Sequence, residues 1–265
     1  VYYISPQIWA WRSGRIATIA KRVDRMLVIL PFEEAIYRSA GVDCTFVGHP
    51  LLDRISPPCS AEERKSYLKE LGLDPMHPTI GLLPGSRKGE VARHLPVMVE
   101  AMRRLEERKG PFQILLPMAP TLDRSDFLPF LPEDAPTVTM VAGEADRVIA
   151  ASDAVVVASG TATLQAALLS TPMVIIYKVS PLTYWIGRWL VRSEHIGMAN
   201  IIAGKRLVPE LLQGEATGTR ICEEVVKILE GEGDRIRKGL EEVRVRLGAP
   251  GASARAAERI LEMVA

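Results

Sequence analysis

Apolar positions along this chain gather into short uninterrupted runs spaced by helix-length amphipathic segments, as expected where strands buried on both faces alternate with covering helices. The clearest case lies between Asp153 and Lys178, where no residue is charged. An apolar run (Ala154 to Val157) leads into a small-residue turn (Ala158-Ser159-Gly160-Thr161), a helix-like segment to Ser170, and a second apolar run after Pro172. A membrane span needs about 20 predominantly apolar residues. Here Ser159, Gly160, Thr161, Thr163, Gln165, Ser170, Thr171 and Pro172 interrupt the stretch, so a buried strand with its crossover helix is the better reading. The turn after such a strand is where α/β proteins hold ligands, because helix-opening N–H groups have no intrahelical partner and carry partial positive charge.

The same pattern predicts a strand at 1–4, a helix at 8–23, a strand at 25–30, a helix at 32–40 and a strand at 44–47 running into Gly48-His49-Pro50. Three strands do not complete a doubly wound sheet. Residues 51–60, with Pro57-Pro58, read as a linker. Beyond it come a helix at 61–71, a strand at 79–83, a long helix at 89–107, strands at 112–116 and 137–141 around a Pro-rich loop, and a short helix at 145–151. After the uncharged stretch we expect a helix at 181–191 and an irregular segment to Ala203; Val208 onward reads as helical, with glycine breaks. The expected division is an N-terminal remnant (1–52), a complete nucleotide-binding-type domain (53–214) and C-terminal helices (215–265), the last packing back on the first part.

Lys+Arg 33 against Asp+Glu 32 leaves a net charge of +1, which points to no nucleic-acid partner. Cys44, Cys59 and Cys222 form no CxxC or Cys/His spacing, consistent with a reducing, cytosolic setting and no structural zinc or other metal site. The opening Val1-Tyr2-Tyr3-Ile4 has neither an initiator Met nor a basic signal-peptide start, and reads as a strand entered midway, so a fragment is expected.

Four stretches could carry chemistry. In Leu82 to Pro96 a buried strand ends in a glycine turn: Gly85 permits close backbone approach, Ser86 stands at the expected N-cap, the opening N–H groups suit phosphate oxygens, and Arg87 offers a fork for a pyrophosphate. The bland alternative is a plain turn and cap with a solvated arginine. In Ala158 to Thr163, small and hydroxyl residues leave room for a phosphate on the helix N-terminus, and Gln165 one turn on could hydrogen-bond a ribose diol; close helix–strand packing would also want Gly and Ala. This second loop is neither a Walker loop nor GxGxxG. Pro181 to Gly204 mixes Trp185, Arg188, Trp189 and Arg192, suited to a membrane interface or an acyl-phosphate ligand but also to a core; Asn200 could bind a sugar or phosphate, or cap a turn. Trp9 and Trp11 could stack on a sugar, with burial as the default. Of the nearby acid–base candidates, His49 and Glu34, the histidine in Gly-His-Pro reads as a turn residue, and we do not assign it as a base.

Taken together, SPQIWAWR (5–12), FVGHPLLD (46–53), LLPGSRKGEV (82–91), ASGTATLQAAL (158–168), PMVIIYKVSPLTYWIGRWLV (172–191), NIIAGKRLVPELLQ (200–213) and GASARAAERI (251–260) resemble the lipid-A-disaccharide synthases over essentially the whole chain. The resemblance implies an α/β, GT-B-like fold, with a complete C-terminal Rossmann-like domain, a partial N-terminal one on the acceptor side, and the sugar nucleotide in the cleft between them. It implies a metal-independent, cofactor-free, inverting glycosyltransferase of Gram-negative lipid A biosynthesis. The donor is UDP-2,3-diacylglucosamine, the acceptor 2,3-diacylglucosamine 1-phosphate (lipid X), and the place the cytoplasmic face of the inner membrane, with a homodimer left open. It further implies that Arg87 acts on the diphosphate and departing UDP, that Gly85, Ser86, Glu90, Ser159, Gly160, Thr161, Thr163 and Gln165 bind the donor, and that Asn200 contributes to the active site. Gln165 stands where the family pattern carries a Glu for the ribose, so weaker UDP binding is expected. The family's glycine-rich N-terminal segment, with its candidate base and membrane contacts, is absent from this sequence, so an N-terminally incomplete synthase is expected. The alternatives are a non-catalytic UDP-sugar or lipid-binding fragment and another UDP-sugar GT-B enzyme.

Overall fold

In the computed structural model, which describes residues 1–8, 13–55, 58–179 and 195–263, the chain forms two units. One holds residues 1–56 and 242–265, the other 57–179 and 195–241. The expected helix at 181–191 and the tryptophans at 9 and 11 lie outside the described residues.

The first unit is a three-stranded parallel sheet of β1 (Tyr2–Tyr3), β2 (Met26–Val28) and β3 (Cys44–Phe46), in that order. Between the strands run α1 (Ile16–Ala20) and α2 (Pro31–Ser39). Proline at the first position of α2 costs nothing, because that N–H has no intrahelical acceptor. Tyr37 of α2 packs with Ile8, Met26, Val28, Val42 and Cys44, and its hydroxyl meets Ser5 Oγ at 2.6 Å. On the other face Leu27 and Val47 pack with Ala256 of the C-terminal helix Ala252–Leu261. That helix is tied on by Arg255 Nε, which donates to the Val47 carbonyl (2.9 Å), and by Asp53, which accepts from the Gly251 N–H (2.5 Å).

The second unit opens with α3 (Ala61–Glu70) and is built on six parallel strands: β4 (Thr79–Leu83), β5 (Gln113–Met118), β6 (Val138–Ala142), β7 (Ala154–Ala158), β8 (Met173–Tyr177) and β9 (Glu210–Leu212). They lie in the order β6-β5-β4-β7-β8-β9. The covering helices are α4 (Lys88–Lys109), α5 (Ala145–Ala151), α6 (Thr161–Leu168), α7 (Met198–Ala203) and α8 (Gly218–Lys227), and α9 spans Gly233–Arg246. Chain order runs outward from β4 to one edge, then returns to β7 and runs to the other, which makes the β4/β7 junction a topological switch point. Every residue of β4 and β7 is buried. Their register pairs Ile80 with Ala154 and Leu83 with Val157. Gly81 permits this closeness, since a Cβ there would stand 2.8 Å from Ser152 Oγ and 2.9 Å from Val155 Cγ1.

The uncharged stretch is therefore β7, turn, α6 and β8, as its pattern predicts. Among the described residues no helix is long and apolar enough to cross a membrane. Two expectations need correction. Residues from 208 on do not begin as helix: Glu210–Leu212 forms the edge strand β9, paired with Ile175 to Tyr177. The segment before it, expected to be irregular, contains helix α7. The first has a plain cause: such a short apolar run fits either state, and it is pairing with β8 that decides.

Candidate active site

A cleft of about 400 Å³ opens at the carboxyl ends of β4 and β7, in the second unit, where the strand order reverses. From the β4 side Gly85, Ser86, Arg87 and Glu90 line it; from the β7 side Ser159, Gly160, Thr161 and Gln165 do so. Pro117 near the end of β5, Ala119 and Pro120 after it, and Gly143 and Ala145 after β6 add to the wall.

On the β4 side Gly85 takes φ +127°, a conformation that L side chains rarely adopt. A Cβ there would lie 2.5 Å from the Glu90 Cβ, so glycine is required twice over. The expected N-cap is displaced by one residue: Arg87 occupies that position with no side-chain cap, and Ser86 does not cap the helix. Glu90, in the first turn, reaches back instead. Its Oε2 accepts the Ser86 N–H at 2.9 Å and its Oε1 accepts from Arg87 at 3.0 Å. A carboxylate thus sits where an anion would meet the start of α4, which is the favourable end of the helix dipole for negative charge. The Arg87 side chain is 82% exposed, and on a flexible stem it can leave Glu90 for a stronger anion. Lys88, pairing with Asp126 at 2.7 Å, and Thr121, donating to the Ser86 carbonyl at 2.8 Å, anchor the loop beyond β5 to this turn.

On the β7 side Gly160 precedes α6 without a capping side chain, and a Cβ at Gly160 would meet nothing within 4 Å. Packing therefore does not demand glycine here, and the open space lies in front of the helix N-terminus. Thr163 is buried and its hydroxyl donates to the Gly160 carbonyl at 2.7 Å, so it shapes the turn and does not line the cleft. Gln165 lines the cleft, and its Nε2 donates to Asp146 Oδ1 at 2.7 Å.

Asn200 is 0% exposed and is not among the residues that line the cleft. Its amide is saturated: Nδ2 donates to the Val208 carbonyl (2.9 Å) and to Glu210 Oε1 (2.7 Å), while Oδ1 accepts from the Leu207 and Val208 N–H groups (2.8 and 2.9 Å). Glu210 also accepts from the Ile196 and Gly197 N–H groups at 2.9 and 3.0 Å, so the pair brackets α7 to β9.

Two participants carry no motif. His94, buried on the apolar face of α4 beside Val91, Leu95 and Met98, holds the Pro84 carbonyl through Nδ1 (2.8 Å) and accepts the Lys178 N–H through Nε2 (3.2 Å). Pro84 can only accept and the Lys178 N–H can only donate, so the proton is on Nδ1. Burial pulls the His94 pKa below its ordinary value, keeping it neutral and suited to that double role. A histidine on an otherwise apolar helical stripe was the available signal. Asp146 had none. His49 is a turn residue, accepting the Leu51 N–H through Nδ1 at 3.1 Å.

Similarity to known proteins follows this geometry. Residues 1–264 match the family model described as lipid-A-disaccharide synthetase. The chain is 52% identical over 267 residues to the lipid-A-disaccharide synthase of Syntrophus aciditrophicus, covering 99% of this chain and 69% of that protein. To the Myxococcus xanthus lipid-A-disaccharide synthase it is 48% identical over 265 residues, covering 99% and 68%. Among solved structures, the UDP-GlcNAc 2-epimerase of Neisseria meningitidis bound to UDP-GlcNAc superposes with a TM-score of 0.60 at 12% identity, over 90% of this chain and 62% of that one. This last likeness is one of fold alone, the parallel-sheet α/β arrangement of the GT-B class.

Proposed function

The chain belongs to the lipid-A-disaccharide synthase family, and on that premise we propose that its cleft seats the nucleoside diphosphate of UDP-2,3-diacylglucosamine. The reaction is glycosyl transfer: 2,3-diacylglucosamine passes to the 6-hydroxyl of 2,3-diacylglucosamine 1-phosphate, and UDP leaves. The observation that carries this reading is the convergence of two βα turns and one arginine on a single cleft at the switch point. Negative charge builds on the diphosphate as the glycosidic bond breaks. The Ser86 N–H, the Arg87 guanidinium and the opening N–H groups of α6 are the donors placed to receive it.

Two anions cannot share those donors, so Glu90 yields Ser86 and Arg87 when the diphosphate arrives, and takes them back when UDP departs. Gly85 and Gly160 admit the phosphates at backbone distance, Ser159 and Thr161 lend hydroxyls, and Thr163 holds the turn. Asn200 acts at a remove, by fixing α7 against β9. Because both substrates carry acyl chains, transfer takes place at a membrane surface, with the protein bound peripherally to the cytoplasmic face of the inner membrane.

Calorimetric titration with UDP tests the seat. Removal of one charge-assisted contact costs about 1.5–3 kcal/mol, so Arg87→Ala is expected to weaken UDP binding by about 10- to 100-fold. Unchanged affinity in Arg87→Ala would remove the arginine from the diphosphate.

A further inference from the structure

We propose that His94 is a positioning residue of the diphosphate seat: by holding the Pro84 carbonyl it fixes the plane of the Pro84–Gly85 peptide, so that the Gly85 N–H is presented to the ligand. This rests on the cleft being a nucleoside diphosphate site. Pro84, the first residue after β4, has no N–H to give. Gly85 is thus the first backbone donor beyond that strand. It lines the cleft, and its N–H has no acceptor among the described residues.

His94 sets where that donor points. It is buried on α4, does not itself line the cleft, and donates from Nδ1 to the Pro84 carbonyl at 2.8 Å. In a trans peptide the C=O and the following N–H share one plane and point in opposite directions. With the Pro84 carbonyl turned onto His94, the Gly85 N–H is turned away from it, to the cleft side. Glycine at 85 leaves that plane free to rotate, so the orientation has to be imposed from outside. The imidazole is itself steadied from the carboxyl ends of β8 and β9. Its Nε2 accepts the Lys178 N–H at 3.2 Å, and the Gln213 amide brackets the next residue, accepting the Val179 N–H at 2.8 Å and donating to the Val179 carbonyl at 3.1 Å. Glu90, one turn before His94 on the same helix face, holds the Ser86 N–H. The two holds differ in kind. Glu90 occupies a donor that an incoming anion takes over, whereas His94 occupies an acceptor on the back of the peptide and keeps it while the ligand is bound.

The two hydrogen bonds of His94 can be removed separately. The amide nitrogen of asparagine falls where the imidazole Nδ1 lies, and the amide oxygen of glutamine where Nε2 lies, so His94→Asn keeps the bond to Pro84 and His94→Gln the bond to Lys178. Each variant deletes one buried hydrogen bond, so a merely structural role would make them equivalent. The test is calorimetric titration of the full 265-residue chain and its variants with UDP and with inorganic pyrophosphate. One charge-assisted hydrogen bond corresponds to about tenfold in affinity, so His94→Gln and His94→Leu are expected to lose about tenfold for both ligands, because the misdirected donor faces the phosphates. His94→Asn should stay within about threefold of the unaltered chain for both. The comparison of asparagine with glutamine decides the matter even if His94→Leu does not fold. Equal losses in His94→Asn and His94→Gln, a larger loss in His94→Asn, or a loss for UDP that spares pyrophosphate overturns the proposal. If the unaltered chain binds UDP and no His94 variant differs from it, the positioning role falls but the diphosphate seat stands. If the unaltered chain binds neither ligand, the nucleotide reading falls as well.

Discussion

Replacing Asn200 with alanine separates a structural bracket from a direct contact with substrate. The substitution deletes four hydrogen bonds at a position with no solvent exposure. The Leu207 and Val208 N–H groups lose their acceptor, and because both residues are themselves buried, water does not readily replace it. An unsatisfied buried donor costs about 1–3 kcal/mol. Glu210 keeps two of its three donors, the Ile196 and Gly197 N–H groups, so its charge remains partly solvated by the backbone. Adding a small cavity, the expected loss is about 3–5 kcal/mol for Asn200→Ala. With a urea m-value of about 2–3 kcal/mol/M, the unfolding midpoint followed by circular dichroism should fall by about 1.5 M. Asn200→Asp keeps an acceptor for the two N–H groups but sets a carboxylate against Glu210, so it should be nearly as damaging. A midpoint shift below about 0.4 M in Asn200→Ala, on that same m-value, together with lost glycosyl transfer, would refute the bracket and return Asn200 to the reacting groups.

Gly85→Ala should cost about 1–3 kcal/mol from backbone strain and, by placing a methyl group where a phosphate approaches the backbone, also weaken UDP binding; a thermal melt lowered by several degrees checks the first and calorimetry the second. An unshifted melt would show that the turn relaxes. The buried histidines predict a pH slope: burial lowers both His94 and His49 from 6.5, His49 to about 4. Their neutral forms belong to the fold, so this stability is complete above pH 6.5 and falls as the unfolded chain takes up protons below it, by roughly 3 kcal/mol for His49 alone at full extent. Urea midpoints between pH 7 and pH 5 should drop, and His49→Gln should flatten the slope; an equal slope in the variant would exclude His49 as its source.

Most of the second unit's sheet was legible because its signals are local. A strand buried on both faces must be apolar along its length, and β4, β7 and β8 each announce themselves in five residues. The turns after β4 and β7 followed from the same logic, and eight of the ten residues singled out do line the cleft. Thr163 and Asn200 do not, and composition could not separate them: a buried threonine closing its own turn and an amide bracketing two elements read like their ligand-binding counterparts. Glu90 was placed at the site, but its hold on Ser86 and Arg87 depends on the backbone path through Gly85.

What the sequence by itself determined is the alternation of strands and helices, the two turns that open α4 and α6, and kinship with the synthases. All of these reside in stretches a few residues long, where side-chain burial and backbone freedom act on near neighbours. Only the tertiary structure decided that β9 is a strand, that His94 joins Pro84 to Lys178, and that Asp146 stands beside Gln165. These contacts link residues up to 84 positions apart. Strand order and register bring them together, and no local pattern of polar and apolar residues encodes which two distant side chains will share a hydrogen bond.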